Sequence, residues 1–118
     1  MKGILIKWGT PIVGRERPAI EEFASFMQWA SNLKKEGKIS RFEVFMPMFG
    51  QYEKMAGFSV IEGPSPQVNA ITESDDFRKR IDRVISVAQS VSVDLLDTGD
   101  DVANRMKLYG SAIQQLKL

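Results

Sequence analysis

The stretch from Arg41 to Glu62 most constrains how this chain can fold. Its pattern predicts two strands, Phe42 to Phe49 and Met55 to Glu62, joined by a turn around Gly50-Gln51-Tyr52-Glu53-Lys54. One face of the first strand is apolar throughout: Phe42, Val44, Met46, Met48. The other mixes Arg41, Glu43, Phe45, Pro47 and Phe49. A hairpin patterned this way needs cover on both sides. Pro47 cannot donate to a ladder, which puts its strand at a sheet edge or a bulge.

The flanking segments supply one cover. Lys2 to Trp8 reads as a first strand closed by Gly9-Thr10-Pro11. From Ala19 to about Glu36 the apolar positions Ala19, Ile20, Phe23, Phe26, Met27, Ala30 and Leu33 recur at helical spacing. Pro18 suits that helix's first turn, and Gly37 its stop. Ser65-Pro66 predicts a short helix carrying Val68 and Ile71, and Ser74-Asp75-Asp76 caps a longer one with Phe77, Ile81, Val84, Ile85 and Ala88 inward. Ser90 to Leu96 alternates as a fourth strand, with Val91, Val93 and Leu95 inward. A last helix starts at Asp97-Thr98-Gly99-Asp100 and runs towards Leu118. Its seam of Val102, Met106, Tyr109, Ile113 and Leu116 packs on a neighbour, either its own sheet or another subunit.

The order strand, helix, strand, strand, helix, strand, helix is the split βαβ, ferredoxin-like arrangement of an α+β domain spanning residues 1–118. Its usual sheet order puts the second strand at an edge, which agrees with Pro47. The covered face then carries Phe42, Val44, Met46, Phe58, Val60, Val91 and Val93. The other carries Leu5, Lys7, Glu43, Phe45, Phe49, Ser59, Ile61, Ser92 and Asp94. So many aromatics beside so many charges mark an interface or a ligand groove.

Composition closes off much chemistry. The 118 residues contain neither cysteine nor histidine. Disulfides, thiolate nucleophiles, Cys-based zinc sites and iron–sulfur ligation are excluded, as is the Ser-His-Asp arrangement. Net charge is +1, so no global field draws nucleic acid or an anionic membrane. With no long apolar run and no signal-peptide pattern, the expectation is a cytoplasmic protein.

Short stretches spread over the chain resemble the dimeric α/β-barrel superfamily, and within it a group of small uncharacterised bacterial proteins. They are Lys7-Trp8-Gly9, Gly14-Arg15-Glu16, Glu36-Gly37-Lys38-Ile39 through Phe42-Glu43, Gly57-Phe58, Ser74 to Phe77, and the last helix with Tyr109. The resemblance implies ferredoxin-like subunits that pair through their sheets, in a homodimer or higher homo-oligomer. Better-known members include cofactor-free quinone-type monooxygenases, haem-dependent enzymes, and ligand-sensing or muconolactone-isomerase-like proteins. The axial His of the haem branch and the His–Asp pair of YCII-type proteins have no counterpart here.

Three groups are candidates for chemistry. Alternation puts Lys7, Glu43 and Asp94 on the second face, each on its own strand. They form either an interfacial salt-bridge network or a proton-transfer set in which a desolvated Glu43, its pKa raised, acts as general base. Trp8, Phe45, Phe49 and Tyr52, with Ser59, are candidates to line a site for a flat organic ligand, or else they pack as core and interface. Gly14-Arg15-Glu16-Arg17 before a helix can hold an anion or serve as a plain surface loop. The spacing of Asp97, Asp100 and Asp101 does not match a calcium loop, and no metal or cofactor is expected. The leading functional reading is a small-molecule-binding protein. A cofactor-independent enzyme of monooxygenase or isomerase type, or a purely structural assembly unit, are the alternatives.

Overall fold

A computed structural model describes residues 1–117. Four strands, β1 (Lys2–Trp8), β2 (Arg41–Phe45), β3 (Gly57–Gly63) and β4 (Ser92–Asp97), form one antiparallel sheet in the order β2-β3-β1-β4. The helices are α1 (Glu16–Lys35), α2 (Ser65–Thr72), α3 (Asp75–Val87) and α4 (Asp100–Gln115). This is the expected ferredoxin-like α+β arrangement with the short α2 inserted before α3 and α4 added after β4, and β2 does lie at an edge. The continuation of the last helix to Leu118 falls outside the described residues.

Local chemistry accounts for the element ends. Ser74 accepts a hydrogen bond from the Phe77 amide (3.1 Å), capping α3. Past α1, Gly37 takes a φ of +74°, a conformation glycine enters without penalty. The hairpin strands are shorter than their pattern suggested. Strand β2 ends at Phe45, leaving Pro47 in the connecting loop, and β3 starts at Gly57 rather than Met55. Where the amide-less proline would have sat in the ladder, the chain leaves the sheet.

The core lies between one sheet face and helices α1 to α3. Ile4, Ile6 and Ile61 from the sheet meet Phe26 and Ala30 of α1, Val68 and Ile71 of α2, and Phe77 of α3. Register settles the face of every strand residue. Ile6 pairs with Ser59 and Val93, and Ser59 with Val44, so one covered row reads Val44-Ser59-Ile6-Val93. The expected assignment of β3 is therefore reversed. Ser59 and Ile61 face the helices, both with no exposed surface, and Phe58 and Val60 face the open side. Space explains the choice. Gly57 and Gly63 share the parity of Ser59 and Ile61, and a Cβ on Gly57 would lie 2.8 Å from the Trp8 ring. Only small residues at these ends let Trp8 and Ile39 lie over the strand.

Helix α4 stands apart. None of its residues is buried, and Val102, Met106, Tyr109 and Leu116 are all about half exposed or more. The accessible surface of 7931 Å² exceeds the roughly 6,500 Å² expected for a compact monomer of this mass. The radius of gyration, 16.5 Å, likewise exceeds the ~13.5 Å expected at this length. No helix among the described residues is long and apolar enough to cross a membrane.

Candidate functional site

The sheet divides the candidate residues between two places. On the open face, Glu43-Val60-Leu5-Asp94 form one row and Phe45-Phe58-Lys7-Ser92 the next. Lys7, Glu43 and Asp94 thus share the face expected of them. Glu43 and Asp94, however, sit on opposite edge strands, three strand spacings or ~14 Å apart. Lys7 and Asp94 form no ion pair among the described residues. Glu43 is clamped by Arg41, whose Nε and Nη2 donate to the two carboxylate oxygens at 2.8 and 3.0 Å. That guanidinium holds Glu43 below the usual carboxylate range, the reverse of the raised value a general base needs. Desolvation pushes the other way but is outweighed, the carboxylate staying half exposed.

Phe45, the last residue of edge strand β2, stacks on Phe58 on this face, ring centroids 5.0 Å apart and planes 21° from parallel. Phe45 remains 41 % exposed, so the pair forms an apolar platform ringed by charge. The other expected aromatics do not join it. Phe49 lies in the 46–56 loop, 88 % exposed, and the Tyr52 hydroxyl donates to the Met48 carbonyl in the same loop. Ser59 is sealed in the core, its hydroxyl without a partner among the described residues.

Trp8 belongs to a different site on the covered side. At the C-terminal end of β1 an apolar pocket of about 250 Å³ opens between the sheet, α1 and α3. Trp8 and Ile6 form its floor, Ala19, Ile20 and Phe23 one wall, and Val84 with Val87 the other. Trp8 meets Phe23 edge to face at 5.6 Å. The pocket explains why Ile20 and Phe23, on the apolar stripe of α1, are 68 % and 37 % exposed. They line a cavity instead of filling a core. Glu22 is the one ionisable residue in the lining, and Arg83 holds it at 2.9 Å.

The 46–56 loop closes against the end of β1. The Ala56 amide donates to the Trp8 carbonyl (2.7 Å) and the Gly9 amide to the Gln89 carbonyl (2.7 Å). Gly9 has no room for a side chain, since a Cβ there would lie 2.0 Å from the Glu53 carbonyl oxygen. Met46 and Ala56 of this segment reach the pocket lining. No helical or strand period announces such a cavity. The sequence signal that bears on it is an apolar stripe on α1 wider than one sheet can cover.

The remaining candidates make contacts within the chain. Glu16 accepts the Gly14 amide (3.1 Å), and Arg15 donates to the Ser86 carbonyl at the end of α3, so the 14–17 loop ties elements together. Asp97 pairs with Lys2 (2.6 Å) and Arg105 (3.3 Å), and Asp101 with the Met1 amine (2.8 Å). No cluster of metal-ligating side chains occurs among the described residues.

The subunit architecture is ferredoxin-like, and solved structures carry the same fold. A dimeric ferredoxin-like protein of unknown function from Jannaschia sp. is 13 % identical with a TM-score of 0.59, the match covering 82 % of this chain and 98 % of that one. A dimeric protein of unknown function with a ferredoxin-like fold from Bacteroides fragilis gives 10 %, 0.57, 82 % and 95 % in the same order. SnoaB, a cofactor-independent oxygenase from Streptomyces nogalater, gives 7 %, 0.57, 82 % and 92 %. At such identities the likeness concerns fold. No protein-family model and no curated protein sequence matches the chain.

Proposed function

We propose that this protein is a homodimer that binds a small, largely apolar ring compound in the pocket beside Trp8. The apolar pocket carries the ligand half of this reading. Its volume of about 250 Å³ lies just under the roughly 300 Å³ at which drug-sized sites begin, which favours a one- or two-ring molecule. Walls of Ile, Val, Phe and Trp leave little to hold a charged or sugar-like ligand. The dimer half is supported by the open face, where an exposed aromatic platform ringed by charge has the make-up of an interface. The Jannaschia and Bacteroides fragilis relatives in fold are described as dimeric. In this reading Lys7, Glu43 and Asp94 set the register of the second copy.

Tryptophan fluorescence tests the ligand half. In a Trp29→Phe background Trp8 is the remaining tryptophan, and a panel of phenols, naphthols and quinones serves as probe. At least one member should quench it saturably at micromolar to low-millimolar concentration. Ala19→Leu, which narrows the pocket, should abolish that quenching. Quenching that never saturates, or that survives Ala19→Leu, contradicts the pocket.

Cofactor-independent oxygenation is a second reading, favoured by the likeness in fold to SnoaB and by Glu22 at the pocket wall. Oxygen uptake with hydroquinone substrates, lost in Glu22→Gln, would support it. Uptake unaffected by that change would remove Glu22 from the chemistry.

A further inference from the structure

Helix α4 carries features that nothing among the described residues explains. Its seam of Val102, Met106, Tyr109, Ile113 and Leu116 is exposed or half-exposed along its whole length. Gly110, in the middle of the helix, weakens it relative to alanine, yet a Cβ there would meet nothing within 4 Å. A glycine kept open in mid-helix serves close approach by something outside the chain. Beside the seam lie Ala103 and Ala112, which are also small.

The seam is almost symmetric about Tyr109. Steps of seven and three residues lead back to Val102 and Met106, and steps of four and seven lead on to Ile113 and Leu116. We propose that α4 pairs antiparallel with α4 of a second copy, the two-fold axis passing beside Tyr109 and Gly110. Val102 of one copy then faces Leu116 of the other, and Met106 faces Ile113, the self-complementary contact a two-fold axis requires. The ends agree in charge. Lys117, just past the end of one helix, comes near Asp100 in the acidic first turn of the other, Asp101 being paired with its own chain's Met1 amine. Two heptads are too short to hold a pair of helices alone. The contact therefore supplements the sheet-face contact, sharing the premise of a dimer while resting on a separate surface.

Single cysteines test this cleanly, because the chain has none. Tyr109→Cys at micromolar concentration under mild oxidation should give a covalent dimer in high yield. Val102→Cys should not, since its two copies lie about 20 Å apart in the antiparallel pair. Asn104→Cys, on the opposite side of the helix, should not either. No cross-link at Tyr109→Cys, or equal cross-linking at all three positions, overturns the proposal. As a second measurement, Met106→Glu should raise the dimer dissociation constant at least tenfold with an unchanged circular dichroism spectrum, and an unchanged constant overturns it. Phe58→Glu separates the two surfaces. It should weaken association while Tyr109→Cys still cross-links at raised protein concentration; association weakened by Phe58→Glu with no Tyr109→Cys cross-link at any concentration overturns the helix pair and leaves the sheet-face contact standing.

Discussion

The two faces of the sheet come from the same four strands, one residue out of step, and could hardly differ more. On the covered face Ile4, Ile6, Ile61 and Ser59 are sealed to within 2 % of full burial. On the open face Phe45, Phe58, Val60 and Leu5 stay half-exposed among Arg41, Glu43, Lys7 and Asp94. A face bounded by the chain's own helices needs shape and little else. A face awaiting an outside partner needs solubility until the partner arrives and charge to set its register. The comparison also places the pocket, which forms where the helices splay from the covered face at the end of β1.

The largest effect should follow damage to the covered face. Ile61→Ala removes a side chain with no exposed surface that faces Ile4 and Phe42 across both neighbouring strands. It should cost about 3–4 kcal/mol of unfolding free energy in urea titration. A cost below ~1 kcal/mol would mean that the core collapses around the loss and lies elsewhere.

Gly9→Ala comes next, because its Cβ would overlap the Glu53 carbonyl and crowd that of Gln89. Backbone must move to relieve this, at about 1–3 kcal/mol, and the 46–56 loop should shift with it. Amide chemical shifts confined to residues near the substitution, with unchanged stability, would show that the loop is not braced there.

On the open face the sign of the contrast should change. Phe58→Glu should alter the stability of the protomer by under ~1 kcal/mol while weakening association at least tenfold in sedimentation equilibrium. The opposite outcome, an unfolded protomer, would erase the distinction between the faces. Ser59→Ala sharpens the comparison from within the core. The hydroxyl is buried without a partner among the described residues, so its removal should leave stability unchanged or raise it by up to ~1 kcal/mol. A loss would reveal a hydrogen bond that Ser59 makes in solution.

The smallest effect is acid sensitivity at the foot of the sheet. Hydrogen bonding from Lys2 lowers the pKa of Asp97 from its ordinary 3.8, more than desolvation raises it. A lowered carboxyl pKa stabilises the fold above the unfolded value, and that contribution is lost as pH falls through the folded one. Unfolding midpoints should therefore decline below about pH 3.8, and less steeply in Asp97→Asn. An identical acid limb in the variant would remove Asp97 from the account.

Much of this was legible in the sequence, because periodicity and punctuation report burial against a chain's own elements. Strand β1, the α1 stop at Gly37, the Ser74 cap and the edge placement of β2 all follow from residue type and spacing. The faces of β3 did not, since Phe58 and Val60 are as apolar as Ile61, and a serine in the core runs against composition. Gly57 and Gly63 held the missing information, which concerns the space that Trp8 and Ile39 need. The expected site mixed both sides of the sheet for the same reason. Lys7, Glu43, Asp94 and Phe45 reached the open face, while Trp8 and Ser59 went under the helices. The pocket is not legible in the sequence, because its lining residues have the pattern of ordinary core.

The central claim is that the open face belongs to a second copy of the chain. Sedimentation equilibrium of the wild-type protein at micromolar concentration tests it most directly. The account predicts a species of twice the 13.3 kDa chain mass. A monomer at that concentration would contradict it.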